Sequence, residues 1–474
     1  MKIALSTIIT AFLLTTAHCV QSQDFTGSWT GSLDFGKEKL TVNIHIKQGD
    51  HGILTGTFDS PDQGAYDLPF QSVETKDVQL ICLEKRMNIK LVAEFVGDDD
   101  LEASWTQGGQ AFPISFRRLE GEVVDKSKLQ DPVPPFPYEE EELWFINTKG
   151  DTLYGTLTHP KGKKKAPGII LITGSGPQDR NSEILGHRPF FVLSDYLTRQ
   201  GIAVFRYDER GVGMSGGDFS TATSEDFAKD AAEALKRMAC HPNVDNKRLG
   251  VFGHSEGGIV APLMNASFLQ PHFLILAAAP GVPSRDLLLM QNDKIGEVQG
   301  LTKKQRERSR EENTALFDLI IESANIEDAH TKINQYFDEK IEGSKEISDV
   351  KRLEQLRKSV HTSMLTPWFD YFIRYQPEAH LRSIQTPTLA INGKLDVQVP
   401  WEENTREIRE AFEKSGNTNL HIKTYDALNH LFQTAKTGSP MEYAQNTETF
   451  NEEVMADIAE FILGQKKGKR INLR

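Results

Sequence analysis

The sequence predicts an α/β protein: a mostly parallel sheet covered by helices on both faces, carrying a helical insertion and preceded by a small all-β domain. Three observations predict it. Apolar runs at 168–172, 202–207, 249–252, 273–277, 388–391 and 420–424 alternate with helix-length segments, as strands buried on both faces do. About 110 residues separate the fourth run from the fifth, too many for a loop, and they are charged and helix-patterned. Residues 24–120 instead carry short alternating runs, such as Leu40-Thr41-Val42-Asn43-Ile44-His45-Ile46, between turn clusters at 49–52, 59–62 and 97–100.

Taken in chain order, residues 1–22 read as a secretory signal: Lys2, an apolar run from Ile3 to Leu14, then the small residues Thr15, Thr16 and Ala17. That run is too short to span a bilayer, and no later one reaches about 18 residues. An exported protein, periplasmic or extracellular and without membrane insertion, is therefore expected. Thr16-Ala17-His18 lacks the leucine and small residue that favour lipid attachment at Cys19, so cleavage near Cys19 to Gln23 is expected instead. Residues 23–122 form the all-β domain, about seven or eight strands that close a small barrel or sandwich. Its Gly27-Ser28-Trp29 loosely resembles the early Gly-x-Trp of lipocalin-like domains, and we read the domain as a rigid appendage without a ligand of its own.

Prolines 132, 134, 135 and 137 make 123–138 a stiff extended linker. The α/β domain then spans 139–466, opening on a hairpin of residues 143–147 and 153–158. The insertion, about 281–385, is read as a helical cap over the carboxyl edge of the sheet, where open α/β sheets bind ligands. Its cluster Pro367-Trp368-Phe369-Asp370-Tyr371-Phe372 places Trp368 and Phe369 at a substrate pocket. The terminal run Lys466-Lys467-Gly468-Lys469-Arg470 reads as a solvated tail.

Composition narrows the function. The 474 residues, at roughly 100–200 per domain, allow two to four domains. Lys plus Arg total 54 against 67 for Asp plus Glu, a net charge of −13, and without a basic face nucleic acid is not an expected partner. The three cysteines, 19, 82 and 240, include no CxxC pair, so neither a disulfide framework nor a thiolate zinc site is expected. Cys82 and Cys240, in different domains, read as buried free thiols. No cofactor is implied, and the oligomeric state is left open.

The chemistry concentrates at Gly253-His254-Ser255-Glu256-Gly257-Gly258, which follows the apolar run 249–252 and opens a helix-compatible segment. Strand, G-x-S-x-G, helix is a turn that strains the serine backbone and exposes its hydroxyl above the sheet, with glycines where side chains would collide. Gly213-Met214-Ser215-Gly216-Gly217 satisfies the same pentapeptide, but no strand feeds it directly and no helix follows, so Ser215 is assigned to a glycine-rich loop.

A serine hydroxyl needs a base, and the base needs an orienting acid. Asp396 follows the run 388–391 and His430 follows the run 420–424, both on carboxyl-edge loops. Asp426 is the rival acid, though four residues from His430 on one connection it would have to fold back sharply. His421 lies within a strand, His272 precedes one, and His254 should point away from Ser255. For the developing oxyanion, one donor is the backbone N–H of Glu256. The second is that of Ser175 or Gly176, in the loop Thr173-Gly174-Ser175-Gly176-Pro177-Gln178-Asp179-Arg180. No GK[ST] follows this loop, so it is not a phosphate cradle.

Residues 140–464 resemble the bacterial α/β-hydrolase esterases built around GHSEGG. The resemblance rests on that motif with Gly174 to Arg180 (GSGPxDR), Tyr207 to Gly217 (YDxRGxGxSxG), Pro367 to Phe372 (PWFxYF) and Gly393 to Pro400 (GxxDxQVP). It implies an α/β-hydrolase fold, a small-molecule ester as substrate, Ser255, Asp396 and His430 as triad, and an acyl pocket under the cap. Ala427-Leu428 departs from the glycine often found before the Asn-His of the base loop. The same triad cleaves amides, so a peptidase or amidase is the alternative expectation.

Overall fold

The computed structural model describes residues 24–34, 39–49, 52–60, 65–76, 78–84, 88–97, 99–107, 110–119, 129–162, 165–344 and 346–471. The signal expected at 1–22 with Cys19, residues 123–128 of the expected linker, and the centres of the three turn clusters lie outside them. The chain divides into two compact units, Met1–Val123 and Val124–Arg474.

The described residues of the first unit form antiparallel strands β1 (Gly27–Asp34), β2 (Lys39–Gln48), β3 (Leu54–Ser60), β4 (Ala65–Pro69), β5 (Ser72–Lys76), β6 (Gln79–Glu84), β7 (Ile89–Phe95), β8 (Asp100–Gln107) and β9 (Gln110–Arg118). Their order is β4-β3-β2-β1-β9-β8-β7-β6-β5. The strand tally exceeds the expected seven or eight because β4 and β5 are two halves of one path, broken at Phe70 and Gln71. Phe70 N–H donates to Gly56 O at 2.9 Å and Gln71 N–H to Leu83 O at 2.7 Å. One half thus pairs β3 and the other β6, so the two sheet edges meet and the sheet curls. Trp29, Phe58, Trp105 and Phe116 fill the interior. The Trp29 indole donates to Phe25 O at 3.0 Å, under the Arg118 guanidinium 4.0 Å from the ring centre.

The second unit holds a sheet of β10 (Tyr138–Ile146), β11 (Thr152–Pro160), β12 (Ala166–Ile172), β13 (Ala203–Tyr207), β14 (Val244–His254), β15 (Phe273–Ala277), β16 (Thr388–Gly393) and β17 (Leu420–Tyr425). The order is β10-β11-β13-β12-β14-β15-β16-β17, parallel except for the β10–β11 hairpin and its antiparallel join to β13. Strand residues alternate between two cores, as period-two geometry requires. Ile170, Phe205 and Val251 face α2 (Ser224–Ala239), α3 (Gly257–Ser267) and α10 (Trp401–Ser415). Ile169, Val204 and Phe252 face α1 (Pro189–Arg199) and α11 (Glu452–Gly464).

Between β15 and β16 lie α4 (Ser284–Val298), α5 (Lys303–Ile321), α6 (Ile326–Glu342), α7 (Ile347–Ser363), α8 (Pro367–Arg374) and α9 (Pro377–Ser383). Leu316, Phe317, Ile333, Phe337 and Val360 give this insertion an apolar core of its own. No described helix is long and apolar enough to cross a membrane.

Two segments are held in ways the sequence did not show, and one expectation needs correction. The described part of the linker, 129–137, is tied into the second unit: Gln130 accepts from Thr449 N and Phe450 N at 2.6 and 2.9 Å, and Arg188 reaches Asp131 at 2.7 Å. The basic C-terminal run is docked along the start of β14, with Gly468 N donating to Lys247 O at 2.8 Å and Lys467 paired with Asp245 at 3.2 Å. Cys82 is a buried free thiol, but Cys240, at the solvent-facing end of α2, is exposed.

Candidate active site

Ser255 sits between the end of β14 and α3 with φ at +56°, in the left-handed region that costs a non-glycine residue of order 1–3 kcal/mol. Its N–H donates to Ala277 O at 2.9 Å, which ties the turn to the neighbouring strand. The flanking glycines are steric necessities. A Cβ at Gly253 would collide with the Gly257 carbonyl, and one at Gly257 would stand 2.5 Å from Ile172 O. This close crossing of strand and helix holds the serine above the sheet.

The candidate acid and base lie on adjacent loops. Asp396 is buried; its Oδ1 accepts from Gln398 N and Val399 N, both at 2.8 Å, and its Oδ2 accepts from His430 Nδ1 at 2.8 Å. The loops are laced by backbone: Leu395 N–H donates to Leu428 O at 3.0 Å, and a Cβ at Gly393 would strike that same carbonyl. Ala427-Leu428 thus serves through its backbone, so the missing glycine does not unseat His430. Asn429 Oδ1 accepts from Leu431 N and Gln433 N at 3.0 and 2.9 Å, and His254 Nε2 donates to His430 O at 2.9 Å. The His254 and His430 rings are 4.8 Å apart. Burial and the neighbouring His430 push His254 down to about 3, so it serves as a neutral donor. Among the described residues no hydrogen bond joins Ser255 Oγ to His430.

The rivals are occupied elsewhere. Asp426 is exposed and pairs with Lys394 at 2.5 Å. Ser215 is buried, donating to Asp208 O at 2.8 Å and accepting from Tyr154 N at 3.0 Å, a loop clamp with both roles filled. His421 packs near Phe461, and His272 accepts from Leu249 N at 3.0 Å.

The loop after β12 passes beside the serine: a Cβ at Gly174 would lie 3.2 Å from Ser255 Cβ and 3.6 Å from its Oγ. Gly176 has φ of +96° and open space around it. Arg180 locks this loop to the one after β13, donating to Asp208 from Nε at 3.0 Å and from Nη2 at 2.7 Å. Arg210 similarly reaches Asp230 on α2 through two 2.7 Å bonds.

Two buried carboxyls behind the serine escaped sequence reasoning. Glu256 Oε1 accepts from Ser224 Oγ at 2.6 Å and Trp368 Nε1 at 2.8 Å, and the carboxyl also bonds Ser175. Burial pushes its carboxyl up, and those donors pull against the shift. Glu209 accepts from Thr173 Oγ1 and from Gln178 N at 3.2 Å; burial pushes it well above the usual range. Both line a cavity of about 10 Å³, the room one water occupies. The available signal was Asp208-Glu209-Arg210 directly after a buried strand, charges too close to the core to be solvated.

The two aromatic residues expected at the pocket part company. Trp368 faces Glu256 and packs on Phe372, ring centres 5.1 Å apart. Phe369 turns into the insertion's own core, 6.0 Å from Phe317, because adjacent helical positions point about 100° apart. A cavity of about 770 Å³ opens at the opposite sheet edge near His272, His421 and Phe461, and it holds none of the candidate catalytic residues.

A mixed sheet with an elbow serine after a central strand, helices on both faces and a helical insertion before the acid strand is an α/β-hydrolase. Residues 189–434, just over half the chain, match the family described as serine aminopeptidase, S33, and the chain belongs to that family. It is a serine hydrolase. Esterase EstD of Thermotoga maritima is 25% identical over 337 residues, covering 71% of this chain and 70% of that protein. The Pyrococcus furiosus esterase Pf2001 is 17% identical with a TM-score of 0.41, covering 69% of this chain and 92% of that one. An esterase from Exiguobacterium antarcticum is 16% identical with a TM-score of 0.40, covering 68% and 99%.

Proposed function

We propose that this enzyme hydrolyses carboxylic esters through an acyl-enzyme formed on Ser255. The observation that carries the reading is the buried Asp396–His430 pair, 2.8 Å, at the sheet edge that presents Ser255 in its strained elbow. Ser255 Oγ attacks the ester carbon while its proton passes to His430 Nε2, and Asp396 holds the imidazole by Nδ1–H. The oxyanion is received by the N–H of Glu256 and that of Ser175, whose preceding glycine flanks the nucleophile. The alcohol leaves with the His430 proton, and water releases the acid by the reverse steps. Ile259, Val282, Leu287 and Val399 with Phe372 and Tyr375 form the apolar seam between insertion and sheet, suited to an acyl chain.

The peptidase reading has support in the family's description, since an aminopeptidase belongs to it. Such an enzyme needs an anion to hold the substrate amine. The carboxyl of Glu256, the residue after the nucleophile, is committed to Ser224, Trp368 and Ser175 and is held toward its neutral form by burial, which favours esters. The test compares p-nitrophenyl acyl esters with aminoacyl p-nitroanilides on the full chain, alongside fluorophosphonate labelling. Ester turnover with label on Ser255 supports the reading; faster anilide turnover, or label on another residue, overturns it.

The apolar run of residues 3–14 supports export with removal of about 22 residues. The mass of the secreted protein tests this, and an uncleaved chain retained in the cytoplasm would count against it.

A further inference from the structure

On the sheet edge opposite Ser255, Glu141 of β10, His159 of β11 and His241 just beyond α2 bring three ligand atoms within 4.8 Å of one another. Glu141 Oε1 lies 2.8 Å from His159 Nε2, and Oε2 lies 3.0 Å from His241 Nε2. The two rings are 5.3 Å apart and both histidines are buried, whereas Glu141 reaches solvent.

The ring orientations in this cluster are set by neighbouring groups. His159 Nδ1 is 3.1 Å from the Pro160 carbonyl, which only accepts, so Nδ1 carries the proton. Its Nε2 faces a carboxylate oxygen at 2.8 Å, and the Asn243 amide nitrogen lies 3.4 Å away. A proton or a metal ion placed between these two atoms satisfies both of them.

From this geometry we infer that Glu141, His159 and His241 form a site for a divalent transition metal of the zinc type. Two imidazoles and one carboxylate are a zinc donor set, and tetrahedral ligands at ~2.0–2.1 Å from zinc lie about 3.4 Å from each other, within the spread seen here. The Pro160 carbonyl already holds His159 as a metal-bound imidazole is held, by its other ring nitrogen. At His241 the proton must sit on Nδ1 when metal binds Nε2, which forfeits only a long 3.4 Å contact from Asn243 N. Solvent completes the shell past Glu141. The ion would tie the β10–β11 hairpin to the end of α2, far from the elbow, and so acts on stability. The sequence offered no thiolate pair, and its two histidines meet only because β11 and α2 end side by side.

Metal-free full chain titrated with Zn²⁺ in a calorimeter tests this, with Co²⁺ absorption reporting the ligand geometry. One equivalent should bind, raise the melting temperature and give four-coordinate Co²⁺ bands. His159→Ala and His241→Ala should abolish binding, and the solvent-facing Glu141→Gln, the variant least able to disturb folding, should weaken it roughly tenfold or more. No binding by the parent overturns the inference. So does binding unchanged in all three variants, which would place the metal elsewhere, for example at the His330–His361 pair.

Discussion

The carboxyl of Glu256, the residue after the elbow serine, accepts a 2.8 Å hydrogen bond from the indole of Trp368 in the helical insertion. In the proposed mechanism one residue offers its backbone N–H to the oxyanion and its side chain to the cap, which would join cap position to oxyanion geometry. Trp368→Phe keeps an aromatic ring and removes the donor. Leaving a buried acceptor short of a partner costs about 1–3 kcal/mol. The variant should unfold at lower denaturant and lose kcat, whereas Glu256→Gln, which keeps the backbone donor and an accepting oxygen, should retain more kcat than Trp368→Phe. Equal kcat in all three proteins would show that the bond does not position the oxyanion site.

The two G-x-S-x-G serines should behave oppositely. Ser255→Ala should lose on the order of a million-fold in kcat with little change in folding. Ser215→Ala removes a hydroxyl bonded at both ends, so it should keep turnover and lose about 1 kcal/mol of stability. Steady-state kinetics and denaturation of both variants check this, and the reverse pattern would exchange the assignments.

Asp396→Asn should keep the fold, since the amide oxygen can still accept from Gln398 N and Val399 N. It would hold His430 in the wrong tautomer, and kcat should fall by about 10⁴-fold. A loss below tenfold would point to another acid, with Asp426→Asn as the comparison.

Acid should unfold this protein partly through His254. Its folded pKa of about 3 lies below the 6.5 of an unfolded histidine, so the unfolded chain takes up the proton first. The stability tied to neutral His254 is complete above 6.5 and drains away as pH falls from there toward 3. His254→Gln can still donate to His430 O but does not titrate. Its melting temperature should decline less than that of the parent between pH 7 and 4; parallel curves would remove His254 from the account.

Much of the site was legible because its constraints are local. Glycines flanking Ser255 are demanded by atoms within a few residues or on the adjoining strand, and apolar runs mark where each strand ends and its loop begins. Asp396 and His430 follow from that edge rule together with chain order. The same local pattern misread Phe369, because the aromatic cluster on α8 does not say which face meets the sheet. It also missed the join at Phe70 and Gln71, which depends on where β3 and β6 lie.

Sequence alone settles what neighbours in the chain enforce: strand periodicity, the elbow, the length of the insertion, and the chain order of Ser255, Asp396 and His430. Tertiary packing settles what remote segments supply, namely Trp368 on Glu256, Thr173 on Glu209, Arg180 on Asp208, the docked tail, and two distant histidines beside Glu141. The reason is physical. Backbone sterics and hydrophobic periodicity act over one or two turns, whereas the partner of a buried polar group is set by which elements are packed against it, and desolvation makes that partner obligatory.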